Sequence, residues 1–101
     1  MEPTRVRKLL DLAKKIIEDP KDWCQHAPVK SIDGHVSRCS YTALCTAQSD
    51  GMFSEEEYEE ASFALFREAK ALGFDGVAKL NDQATHHAVM EMFSGAHRWV
   101  K

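Results

Sequence analysis

The sequence predicts a mainly α fold, a compact bundle of about four helices with a short β-hairpin near residues 29-36. Three observations predict it. Apolar residues recur at helical spacing in long segments near the two ends and the middle of the chain. Capping residues mark where the later helices begin and end. One Asp-Gly pair lies between two short β-prone runs. With 101 residues, no repeat and no linker-like tract, the chain reads as a single helical domain over 1-101.

The first helix is placed at about residues 4 to 18, because Val6, Leu9, Leu10, Ala13, Ile16 and Ile17 form one stripe. Pro20 ends it by disfavouring helical geometry at Asp19. The helical period then disappears, and Val29 to Val36 reads as two strands around Asp33-Gly34, a pair suited to a two-residue turn. A lone hairpin is marginal, so Trp23, Val29 and Ile32 are expected to hold it against the helices. Residues 38 to 48 form a helix of small side chains that lets a neighbour approach closely, with Cys39, Thr42, Ala43 and Thr46 on one face.

The third helix carries the strongest local signals. Ser54 and Glu57 have capping-box spacing, and Phe53 and Tyr58 stand at the two positions of a hydrophobic staple. Ala61, Leu65, Phe66, Ala69 and Leu72 continue the apolar stripe, and Gly73 with Phe74 suits a left-handed C-terminal cap. Residues 77–80 form a brief apolar stretch and 81–85 a polar connection, after which Thr85 caps a last helix. Val89, Met92, Phe93, Ala96 and Val100 give that helix its inward stripe; Gly95 weakens it by roughly 1 kcal/mol relative to Ala.

Composition narrows the function classes. At 44% hydrophobic and 29% charged, the chain sits near globular averages. No apolar run approaches the ~18 residues that span a bilayer, so no membrane attachment is expected. The first fifteen residues mix Arg5, Arg7, Lys8 and Asp11 among leucines, unlike a signal peptide. Three cysteines (Cys24, Cys39, Cys45) cannot all pair within one chain and read as reduced thiols, so the expected location is cytoplasmic. The net charge of −3 argues against direct nucleic-acid binding. Residues 50 to 70 hold seven acids against Arg67 and Lys70, a local charge of −5 in a chain otherwise slightly basic. A short helix, a Gly51 turn and a longer helix have roughly helix-turn-helix shape, but five glutamates at the start of the second helix would repel phosphates.

The ordered set Trp23-Cys24-Gln25, Asp33-Gly34, Cys39 with Ala43-Leu44, and Asn81-Asp82 before a capped terminal helix resembles a family of short bacterial and phage proteins of unknown function. In that family an amphipathic first helix leads to a Trp-containing loop, a D-G turn, a Trp-Cys helix start and a late Asn-Asp pair. Here Arg38 stands in place of the second tryptophan, and Tyr41-Thr42 replaces a small or glycine-containing stretch. The resemblance implies a fold and a microbial or mobile-element setting, with no activity to carry over.

Two chemistries compete with a binding role. Cys24, His26 and Cys39 are candidate metal ligands, but the close Cys pairs of structural zinc sites are absent, and Cys39 and Cys45 lie about 120° apart around a helix. Cys39 near a helix start, with His86 or His87 and Asn81 or Asp82, is a candidate nucleophile without a recognisable local signature. The expectation is therefore a non-catalytic small binding protein with no cofactor, no metal site and no catalytic residue. Its partner-binding residues are Glu55, Glu56, Glu59 and Glu60, and the partner is a protein, one with a basic nucleic-acid-binding surface being the natural candidate. In its specific form this is a phage or mobile-element accessory protein that binds and inhibits a host defence complex. The alternative is a small thiol- or metal-dependent enzyme.

Overall fold

The computed structural model describes residues 3–101. Helix α1 spans Pro3–Ile16, strands β1 and β2 span Val29–Ile32 and His35–Arg38, and α2 spans Ser40–Asp50. Helices α3, α4 and α5 follow at Glu55–Ala71, Val77–Gln83 and His86–Gly95, with short 3₁₀ turns at Pro20–Asp22 and Ala96–Trp99. The fold is mainly α with a two-stranded antiparallel hairpin, as the sequence predicts, but with five helices rather than four.

Helix α1 is the spine of the core. Val6, Leu9, Leu10 and Ala13 on its inward stripe are fully buried, as is Ile17 just past its end. It packs against α2 and α3, with α5 also in contact, and its contact with α2 is the most extensive between any two helices. The small side chains of α2 permit that approach: Ser40, Ala43, Leu44 and Ala47 are buried. This face is rotated from the expected one because Leu44, the largest aliphatic side chain of the helix, takes the core. After α1, Asp19 accepts a hydrogen bond from the Lys21 amide and Pro20 opens the first 3₁₀ turn.

The hairpin pairs Ile32 with His35 and so encloses Asp33-Gly34 as a two-residue turn. Both turn residues have positive φ, 51° and 80°, the conformation Asp-Gly favours in hairpins. The hairpin projects from the helices rather than lying on them. Val29 and Ile32 are 46% and 69% exposed, so of the three expected anchors only Trp23 packs on the core. The attachment is made at the hairpin's base by backbone: the Cys24 amide donates to the Arg38 carbonyl and the Cys39 amide to the Pro28 carbonyl, each at 3.0 Å.

Helix α3 begins and ends as its sequence dictates. The Ser54 hydroxyl accepts from the Glu57 amide (3.1 Å) while the Glu57 carboxylate accepts from the Ser54 amide (2.8 Å), a complete capping box. At the other end Gly73 (φ 98°) is left-handed, its amide donating to Lys70 and that of Phe74 to Ala69, the Schellman pattern. The buried arc is Glu57, Ala61, Ala64, Leu65, Glu68 and Ala69. Phe66 lies about 100° around from Leu65 and Leu72 is the cap residue, and both are exposed despite the expected stripe.

Helix α4 is the departure from expectation. Asn and Asp side chains favour loops when they bond their own backbone. Here the Asn81 side chain bonds Trp23 and Ser40, and Asp82 accepts from the His26 amide, so the backbone of 77–83 is left free to coil. Thr85 caps α5 by accepting from the Ala88 amide (3.1 Å). No helix among the described residues is long and apolar enough to cross a membrane.

Candidate functional site

Asn81, 2% exposed, is a hydrogen-bond hub joining three parts of the chain. Its Oδ1 accepts from Trp23 Nε1 (2.8 Å), the Ser40 amide (3.0 Å) and Ser40 Oγ (2.7 Å). Its Nδ2 donates to the Cys24 carbonyl (3.0 Å) and to Asp82 (3.1 Å). Gln25 adds bonds to the carbonyls of Asn81 and Ala84. The Trp-containing loop, the start of α2 and α4 are thus fixed to one another, and they are the segments that carry the quoted motif residues. Both ends of the amide are saturated, so it has no free donor to offer a substrate.

Beside this hub a cleft of about 280 Å³ is lined by residues that include His26, Cys39, Tyr41 and Asp82. His26 adopts φ 66°, uncommon for a non-glycine residue, and its amide donates to Asp82 (2.8 Å). That bond, followed by the one from Asn81, lowers the Asp82 pKa from its ordinary value. Cys39 is the N-cap residue of α2, half-buried, with its Sγ 3.5 Å from the Thr42 hydroxyl. Cys24 is buried against the Ala27 carbonyl, and burial raises its thiol pKa. Cys45 is exposed and donates to the Tyr58 hydroxyl. Burial, then Cys45, raises the Tyr58 pKa strongly.

The candidate nucleophile set is not assembled. His86 Nε2 bonds the Ile17 carbonyl (2.8 Å) and its ring packs on Trp23, while His87 pairs with Glu91 on the exposed face of α5. His35 meets Asp22 and His97 meets Asp11. Each histidine has its own partner, and among the described residues no three His, Cys, Asp or Glu side chains are grouped as ligands for one metal ion.

The six glutamates of α3 divide into two sets. Glu57 and Glu68 lie on the inward arc and are paired. Glu57 meets Arg5 at 2.7 Å, which with the Ser54 amide lowers its pKa; Glu68 accepts from Arg98 and from Trp99 Nε1, both at 2.9 Å. Glu55, Glu56 and Glu59 are exposed and Glu60 is half-buried at the edge near Pro3 and Val100. Among the described residues no cation lies within ion-pair distance of these four. The same outward face continues into Phe63 and Phe66, whose rings stack at 6.3 Å, with Arg67 lying over Phe63 and Trp99.

The sequence missed the inward pairs, although a signal was present. Glu57, Ala61, Ala64, Leu65 and Glu68 follow the i, i+4, i+7, i+8, i+11 spacing of a buried stripe, so two acids on it require cationic or hydrogen-bonding partners, here the half-exposed Arg5 and Arg98. The hub had no such local signal, because its partners lie 41 and 58 residues away.

Fold and site together define a small helical domain whose Trp-containing loop is locked to a late Asn-Asp pair. The chain belongs to DUF6197, a family of unknown function, whose family model matches residues 1–98. No curated protein and no solved structure matches it significantly.

Proposed function

We propose that the protein is a non-catalytic binding protein that docks onto a protein partner with a basic surface through Glu55, Glu56, Glu59 and Glu60. The observation that carries this reading is the division of the α3 glutamates. The fold uses two of the six, inward and paired, and among the described residues leaves four without an ion-pair partner over the first two turns, Glu55, Glu56 and Glu59 exposed and Glu60 half-buried at the edge. One or two acids suffice to complement a helix dipole, and the surplus provides a field that steers a cationic partner. A nucleic-acid-binding protein is the natural source of such a surface. In its narrowest form the partner is a host defence complex, and the protein is a phage or mobile-element accessory that inhibits it. Three unpaired thiols favour a reducing, cytoplasmic setting.

The test is capture from the native host with tagged full-length protein, wild type beside the E55Q/E56Q/E59Q/E60Q variant. A basic protein held by the wild type and lost by the variant supports the reading. The same partner held equally by both overturns it. The alternative, a thiol-dependent enzyme, is favoured by one observation, Cys39 in the same cleft as His26 and Asp82. Against it, Asp82 is engaged by the His26 amide and Asn81, and neither His86 nor His87 lines the cleft.

A further inference from the structure

On the outward face of α3, Glu59, Phe63, Phe66 and Lys70 follow spacings of four, three and four residues. Their mean, about 3.7 residues, is close to the 3.6-residue turn of a straight α-helix, so the four side chains share one narrow stripe. Phe63 is 54% and Phe66 38% exposed, large apolar side chains on a helix whose opposite face is already buried. The row is acidic at its start, aromatic in its middle and basic at its end, and its spacing reads the same in both directions. Such a row is complementary to itself when reversed.

We propose that this face pairs with the same face of a second copy, antiparallel about a two-fold axis lying between Phe63 and Phe66. Each Phe63 then meets Phe66 of the partner subunit, and each Glu59 meets Lys70 of the partner subunit. A parallel arrangement would set Glu59 against its own copy and Lys70 likewise, so charge selects the antiparallel one. Arg67, stacked between Phe63 and Trp99, borders the aromatic centre. The pairing goes beyond the proposed partner contact: in the dimer Glu59 is taken into the seam, while Glu55, Glu56 and Glu60 flank it and remain for the basic partner, one such acidic end at each extremity. The seam from Glu59 to Lys70 runs only about 17 Å along a helix about 10 Å wide, a footprint on the order of 200 Å² and well below the ~800 Å² per partner of stable complexes. The dimer is therefore concentration-dependent.

The experiment is sedimentation velocity on the pure full-length protein from about 10 to about 500 μM, with no other protein present. The wild type is expected to shift from monomer to dimer over a range of this order. E59K and K70E each set like charges opposite one another at both ends, so each raises the dissociation constant roughly tenfold or more. The double variant E59K/K70E restores opposite charges and returns it to within about threefold of wild type. Phe63→Ala removes the apolar centre and abolishes the dimer. A wild type that stays monomeric throughout overturns the proposal. So do single variants that dimerise like wild type, or a folded double variant that does not recover. Because no partner is present, failure here is separate from failure of the capture experiment.

Discussion

Replacing Asn81 by Ala removes the amide that holds the Trp23 loop, the start of α2 and α4 together. The Trp23 indole N–H, the Ser40 amide, the Ser40 hydroxyl and the Cys24 carbonyl each lose a partner. A buried polar group left unpaired costs about 1–3 kcal/mol. The hydroxyl can rotate toward another acceptor, and water from the adjoining cleft can reach part of the vacated space, so the expected loss is about 3–4 kcal/mol rather than the full sum. For a domain with roughly 5–15 kcal/mol of stability this is a large fraction. Urea unfolding followed by tryptophan fluorescence measures it, the midpoint falling by roughly 2–3 M at a typical m-value for this size. Asn81→Asp is the informative companion. It keeps the acceptor but turns a donor toward the Cys24 carbonyl into a second anion beside Asp82, so its deficit is expected to shrink as pH falls and the added carboxyl protonates. A loss below about 1 kcal/mol for Asn81→Ala, with unchanged m-value, would refute the hub as the organising element.

Three further outcomes follow from the same contacts. Ser54→Ala removes half of the capping box and is expected to cost about 1 kcal/mol in denaturant melts. Gly95→Ala reverses the sign that helix propensity alone gives: an added Cβ would run into the Glu68 carboxylate, which holds Arg98 and Trp99, so a loss of about 1–3 kcal/mol replaces the gain. Glu57 and Asp82, whose folded pKa values are depressed, contribute to acid sensitivity. Depressed carboxyls stabilise above their ordinary range near about pH 4 and lose that contribution as pH falls through the folded values, so the part they contribute should be constant above about pH 5 and decline below it. Glu57→Gln, read in melts across pH, is expected to flatten the decline.

Local interactions made much of the fold legible in the sequence. The stripe of α1, the turn at Asp33-Gly34, the box at Ser54 and Glu57 and the cap at Gly73 each depend on neighbours within a few residues. What escaped depends on distance. Helix α4 reads as a polar connection until Asn81 is seen bonding Trp23 and Ser40, which removes the side chain's competition for its own backbone. The hairpin's apolar residues suggest a packed sheet, but it is anchored by backbone at its base and leaves Ile32 exposed. Gly95 reads as a weak helix position because nothing local announces the carboxylate of a residue 27 positions earlier against it. In the candidate site, the acidic run was visible as composition and the inward placement of Glu57 and Glu68 was present as periodicity, whereas the identity of their partners, Arg5 and Arg98, 52 and 30 residues away, was not.

An association rate decides whether Glu55, Glu56, Glu59 and Glu60 act as a docking surface. The partner identified by capture is bound to immobilised wild type and to E55Q/E56Q/E59Q/E60Q at low and high salt. Because the four residues lie outside the fold's ion pairs, the variant is expected to melt like wild type while associating more slowly. Salt is expected to slow the wild type far more than the variant, until the two converge. Equal rates at low salt, or a wild-type rate indifferent to salt, would rule out a docking role and leave the acidic run as an ordinary solvated helix start.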